Sequence, residues 1–156
     1  MLPLRVLHIA AFGAAALACL AAIPRVRRFS DTETRTGLTA LLLCSGVWAA
    51  AHTLRLVAPT DGLKISFYMV GLLVGFASVG AWLYFCSAYT GHDYHRRPLF
   101  RQSALVLYLF VAGLKFTNPV HSLYFTTTFA TTPFAHLSIE PSPVHWVVTG
   151  LAYALT

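Results

Sequence analysis

Acidic residues, and charged residues in general, are scarce in this chain. Charged residues make up 10% of the sequence, against roughly a quarter in an average soluble domain. Hydrophobic residues make up 57% and occur in long blocks, which a soluble domain of this size could not bury. The sequence therefore predicts an integral membrane protein. All the acids fall in predicted loops, and this excludes paired-carboxylate chemistry within a bundle. The acids are Asp31, Glu33, Asp61, Asp93 and Glu140.

Catalytic and metal-binding motifs are also lacking. The sequence has no glycine-rich phosphate loop, no G-x-S-x-G elbow, no H-E-x-x-H motif and no histidine pair at i,i+4 spacing. A metal or haem site assembled from His8, His52 and His121 on different helices is left open. We otherwise expect no catalytic residues and no cofactor. The cysteines lie in apolar runs without ligand spacing, and we interpret them as packing residues: Cys19, Cys44 and Cys86.

Apolar stretches divide the chain into membrane spans, each of which needs about 20 helical residues. They cover residues 4–23, 37–58, 63–89, 103–116 and 144–156, and the last is cut off halfway. The predicted fold is an all-α polytopic helical bundle. It forms a single domain over residues 1–156 that we expect to be incomplete at its carboxyl end.

Arginine is concentrated in the loops that follow the first and third spans. Positively charged loops stay in the cytoplasm, so we predict a multi-pass protein of the cell membrane with its amino terminus outside. The arginines directly after the first span favour a retained helix over a cleaved signal peptide. Membrane topology thus explains the net charge of +6, and we expect the lipid bilayer, not nucleic acid, as partner.

The long connection from Thr117 to Pro143 lies on the predicted outer side. Its segment Tyr124–Phe129 is rich in residues that favour strands, Pro133 supplies a turn, and Leu137–Ile139 can return as a second strand. We predict a hairpin-like lid between spans four and five.

Polar side chains in and near the spans lie at one predicted depth beneath this lid. Ionisable residues in a membrane usually face a cavity or a partner, and Trp48, His52 and Arg55 share one helical face by their spacing. The alternative is that Arg55 and Lys115 extend to the outer headgroups. We hypothesise an outward-facing pocket for a small anionic or aromatic ligand, carried by Trp48, His52, Arg55, Asn118 and His121.

Gly71 and Gly75 in the third span are four residues apart, a spacing that lets two helix backbones approach closely. A homodimer contact is one interpretation. Packing within the bundle is the commoner arrangement in membranes, and we favour it.

Several short motifs give the chain a family resemblance. Trp48 lies midway along the second span, Arg96 and Arg97 lie in a basic loop, and the remaining motifs are Trp82–Phe85, Tyr89–His92 and Thr117–His121. In their order along the chain, these motifs resemble the amino-terminal seven-helix sensor region of some prokaryotic histidine kinases. The segment Gly75–Ala81 has no proline where that family often carries one before its tryptophan.

The resemblance implies a sensory input domain of a two-component system. An unknown ligand or membrane condition would bias two packings of the bundle, and cytoplasmic kinase domains would receive the signal. It also implies two further helices beyond the fifth span. The alternatives are a small membrane scaffold that joins a larger complex through its glycine face, or a haem- or metal-binding redox subunit.

Overall fold

The computed structural model describes residues 2–131 and 136–156. Within these residues, four helices are long and apolar enough to cross a membrane, and a shorter apolar helix follows the hairpin, which confirms an all-α polytopic membrane domain. In chain order the elements are α1 Leu2–Val26, α2 Thr32–Val57, α3 Asp61–Tyr89, a 3₁₀ turn Tyr94–Arg96, α4 Pro98–Phe116, α5 Asn118–His121, β1 Phe125–Ala130, β2 His136–Pro141 and α6 Pro143–Leu155.

All five long helices begin before the predicted spans. In α2, α3 and α4 the reason is a polar first turn, which hydropathy does not detect. The Asp31 carboxylate caps α2 by accepting a hydrogen bond from the Thr34 N–H at 2.6 Å, and this bond lowers the pKa of Asp31. The hydroxyl of Thr60 caps α3, and Pro98 occupies the first turn of α4, where its missing N–H costs nothing. The first helix also ends later than predicted. The predicted span stops at residue 23, whereas α1 continues through Pro24 to Val26.

The acids do not all lie in loops, contrary to the sequence prediction. Glu33 and Asp61 belong to the first turns of α2 and α3, where the helix dipole favours negative charge. Glu140 lies in β2. The position of Glu33 matters for the site, because it places this carboxylate at a helix end near other polar groups.

Helix α2 is the centre of the bundle and packs along both α1 and α3. Its glycines allow close approach: a Cβ added to Gly37 would lie 2.8 Å from the Cα of Phe85. A Cβ added to Gly75 would lie 3.3 Å from the Trp48 ring. The glycine face of α3 thus packs against α2 of the same chain, while α4 contacts α3 more sparsely.

The predicted hairpin is present, and its second strand is longer than expected. β1 and β2 pair antiparallel, with Phe125 opposite Pro141 and Ala130 opposite His136. Pro133, the predicted turn residue, lies outside the described residues. A small core beneath the hairpin is formed by Val111, Tyr124, Phe125 and Val148.

The two ends of the bundle differ in the connections that form them. The arginine-rich end comprises the connections at residues 27–31 and 90–97, and the hairpin end comprises residues 58–60 and 117–142. Lys115 and the first turn of α6 therefore lie at the hairpin end, as does the carboxyl end of α2.

Candidate functional site

Three of the predicted site residues, all on α2, meet at one small cavity. Trp48, His52 and Arg55 line a space of about 170 Å³ between α2 and α3. The imidazole of His52 packs against the ring of Phe12 on α1, with the centroids 4.0 Å apart and the planes tilted by 39°. The guanidinium of Arg55 lies 5.6 Å from the ring centroid of Tyr68 on α3, a cation–π contact. The cluster therefore connects three helices.

The other two predicted site residues lie elsewhere and organise the loop before the hairpin. Asn118 is buried, and its Nδ2 donates to the carbonyl of Phe125 at 2.9 Å while its Oδ1 accepts from the N–H groups of Tyr124 and Phe125. The ring of His121 bonds the Thr117 hydroxyl and accepts from the N–H of Leu123. Neither residue lines the cavity beside Trp48.

A larger cavity of about 470 Å³ lies between α3 and α6 and reaches Lys115 on α4. Lys115 is only 2% exposed. Its Nζ donates to the carbonyl of Leu72 at 2.8 Å and lies 4.8 Å and 5.3 Å from the ring centroids of Phe76 and Tyr124. The side chain thus points into the bundle and does not extend toward the outer headgroups.

The groups beside Lys115 do not neutralise its charge. Burial raises the pKa of Tyr124 to about 12, so its phenol is uncharged at neutral pH. No ion pair among the described residues includes Lys115. On the same cavity, the Nδ1 atom of His145 is buried and has no hydrogen-bond partner in the described part of the chain.

A polar network that the sequence did not indicate closes the arginine-rich end. The Glu33 carboxylate accepts from Nε and Nη of Arg96 at 3.0 and 2.6 Å and from Nε2 of the buried His95 at 3.0 Å. The bonds to Glu33 raise the pKa of Arg96. Ser87 of α3 bonds the other ring nitrogen of His95 at 2.9 Å. Glu33 and His95 are 62 residues apart, so no local pattern could reveal the contact.

Within residues 2–131 and 136–156, no three histidine, cysteine or acidic side chains lie close enough to hold a metal ion. The three cysteines, Cys19, Cys44 and Cys86, are free thiols.

The family model described as the N-terminal 7TM region of histidine kinase matches residues 6–156. The chain belongs to this family. The resemblance drawn from the short motifs is therefore confirmed, and it extends over nearly the whole sequence. A histidine kinase 7TM region is a multi-pass membrane domain that acts as a sensory input domain. No curated protein and no solved structure matches the chain.

Proposed function

We propose that this histidine kinase 7TM region receives its stimulus at the hairpin end and that this end faces the outside of the cell membrane. The arginines of the opposite end support this orientation, because basic loops are retained in the cytoplasm. In this arrangement the amino terminus of α1 is outside, and kinase domains on the cytoplasmic side receive the signal.

The observation that carries the proposal is the cluster on α2 formed by Trp48, His52 and Arg55. The cluster touches Phe12 of α1 and Tyr68 of α3, so a molecule that enters its cavity changes contacts between three helices at once. A ligand shifts a conformational equilibrium only by its difference in affinity for the two states. A cavity walled by different helices provides such a difference, because its shape depends on how the helices pack.

Asn118 and His121 have an indirect role in this proposal. They hold the loop that positions the hairpin over the bundle, through the bonds to Tyr124, Phe125 and Leu123. Replacing Asn118 or His121 would alter the response of the kinase to its stimulus by displacing the hairpin. It would not remove a direct contact with the ligand.

The experiment measures autophosphorylation of the kinase that carries this domain, in native membranes. We expect His52→Ala and Arg55→Ala each to change the phosphorylation level at an unchanged amount of protein. Arg101→Ala is the matched control, because Arg101 is exposed near the opposite end. Wild-type levels in both cavity variants would refute the sensing role of the cluster.

Orientation is tested separately by thiol labelling. In a variant with Cys19, Cys44 and Cys86 replaced by alanine, a single cysteine is placed at Thr127 in the hairpin or at Arg28 in the arginine-rich end. An impermeant maleimide added to intact cells should label the first variant only. Labelling of Arg28→Cys alone would reverse the proposed topology.

A further inference from the structure

We propose that the cavity between α3, α4 and α6 is a second ligand site, and that it binds an organic acid with a single carboxylate and an elongated apolar body. This site is distinct from the cluster on α2, although Trp48 lines both cavities. Binding there does not depend on whether the cluster on α2 senses a stimulus.

The charge of Lys115 is the first argument. Its side chain is buried, and an ammonium group has three donors, of which one reaches the carbonyl of Leu72. The faces of Phe76 and Tyr124 contribute cation–π attraction, but no carboxylate within residues 2–131 and 136–156 forms an ion pair with Lys115. The acids whose ion pairs the structure describes are engaged elsewhere: Asp61 with Lys64, Glu33 with His95 and Arg96, and Asp93 with Arg96. A buried charge without a counter-ion is costly, and a carboxylate in the cavity would remove that cost.

His145 supplies a second polar group on the same cavity. It lies in the first turn of α6, and its ring meets Tyr124 edge-on with centroids 5.2 Å apart. Its Nδ1 is buried and has no partner in the described part of the chain. Once a small shift of the ring exposes it to the cavity, that nitrogen can donate to a carboxylate oxygen when it carries the proton. Buried polar atoms normally have hydrogen-bond partners, so two under-satisfied groups on one cavity indicate a polar guest.

The rest of the cavity wall fits an apolar body. The wall includes Trp48, Gly75 and Phe76, and one face of α6 continues it from Val148 to Tyr153. Both polar groups lie at the hairpin end. From His145 to Thr156, α6 rises about 16 Å at 1.5 Å per residue, so an apolar chain or ring system can extend along it. The volume of about 470 Å³ lies within the usual range for small-molecule sites.

Calorimetry on the protein in lipid nanodiscs tests the proposal, with empty nanodiscs as the blank. The probes are 4-phenylbutyrate, its neutral amide 4-phenylbutanamide, and the fatty acid dodecanoate. We expect a carboxylate to bind about tenfold or more tightly than the amide, the ratio typical of a charge-assisted hydrogen bond. Tighter binding of phenylbutyrate indicates a soluble acid, and tighter binding of dodecanoate indicates an acid taken from the bilayer.

The variants assign the effect to the named groups. Lys115→Met should abolish the preference for carboxylate over amide, and His145→Leu should reduce it. Lys64→Met is the matched control, because Lys64 is the other lysine of the chain and is paired with Asp61; it should keep the preference. Circular dichroism and melting of each variant without probe verify that it is folded.

Three results would overturn the proposal: equal affinity of the wild type for acid and amide, no binding of any probe at millimolar concentration, or an undiminished preference in folded Lys115→Met. The assay measures binding directly, so the two proposals can fail separately. If no preference for carboxylate is found but kinase output still depends on Arg55, the second ligand site alone is refuted. If the preference is found but kinase output does not depend on His52 and Arg55, the sensing cluster alone is refuted.

Discussion

The two ends of the bundle differ in how far their polar side chains are paired with one another. At the arginine-rich end, Glu33, His95 and Arg96 satisfy one another, and Ser87 completes the set. At the hairpin end, Lys115 bonds a single carbonyl, and one nitrogen of His145 has no partner among the described residues. Satisfied networks make a structure rigid, whereas under-satisfied groups in a cavity are prepared for another molecule. The arginine-rich end therefore holds the helices together, whereas the hairpin end is available to a ligand.

The largest effect is expected from a change in the tight packing near the arginine-rich end. Gly37→Val places a side chain against the backbone at Phe85, whose Cα lies 2.8 Å from the position of an added Cβ. Neither backbone can move without separating α2 from α3, so we expect a loss of about 1–3 kcal/mol or more in unfolding free energy. The measurement is unfolding in mixed micelles. Gly80→Val is the control, because an added Cβ there meets nothing within 4 Å, and equal losses in the two variants would contradict the packing.

The polar network itself should give the next largest effect. Glu33→Gln keeps the size of the side chain but removes the charge that Arg96 and His95 share. We expect a lower melting temperature and unchanged ligand binding at the hairpin end. Asp93→Asn tests specificity, because Asp93 also approaches Arg96 but is 69% exposed at its side chain. A larger shift from Asp93→Asn than from Glu33→Gln would show that the network does not hold this end together.

At the hairpin end the sign of the stability change should reverse. Without ligand, Lys115→Met replaces an unpaired buried ammonium with an apolar chain of similar length. We expect the unfolding free energy to stay level or rise by about 1 kcal/mol, because removing a poorly compensated buried charge is often stabilising. Chemical unfolding of the ligand-free protein measures this change, and a clear loss would mean that the bond to Leu72 outweighs the cost of burying the charge.

The smallest effect is confined to alkaline pH. Burial raises the pKa of Tyr124 from 10.0 to about 12, so the native state holds the phenolic proton more tightly than the unfolded chain. Its contribution to stability is complete below pH 10 and declines as the pH rises through 12. The stability difference between wild type and Tyr124→Phe should shrink over that interval. Tyr153→Phe, at a residue 78% exposed, should show no such trend.

Sequence reasoning was most successful where the signal is local. Hydropathy located the helices and β-propensity located the hairpin, because span length and strand preference are properties of contiguous residues. The shared face of Trp48, His52 and Arg55 followed from spacing along one helix. Polar first turns were missed, since Thr32–Thr36 does not differ from a loop in hydropathy.

Contacts between distant segments could not be predicted in the same way. The partners Glu33 and His95 belong to different helical connections, and nothing near either residue identifies the other. Lys115 was expected at the right depth, but its contact with Leu72 depends on how α3 and α4 pack. Asn118 was predicted as a ligand contact because it shares a predicted depth with the polar residues of α2, and the structure shows its amide bonded to backbone groups.

One contact at the hairpin end bears on how the chain enters the membrane. The guanidinium of Arg5 in the first turns of α1 donates to the carbonyl of Leu56 at the end of α2, over a distance of 2.6 Å. Carbonyls in the last turn of a helix have no partner within that helix, and Arg5 of α1 supplies one for Leu56. The pairing of α1 with α2 therefore also contributes a hydrogen bond at the end of the second helix. During biosynthesis the two should enter the bilayer as a helical hairpin.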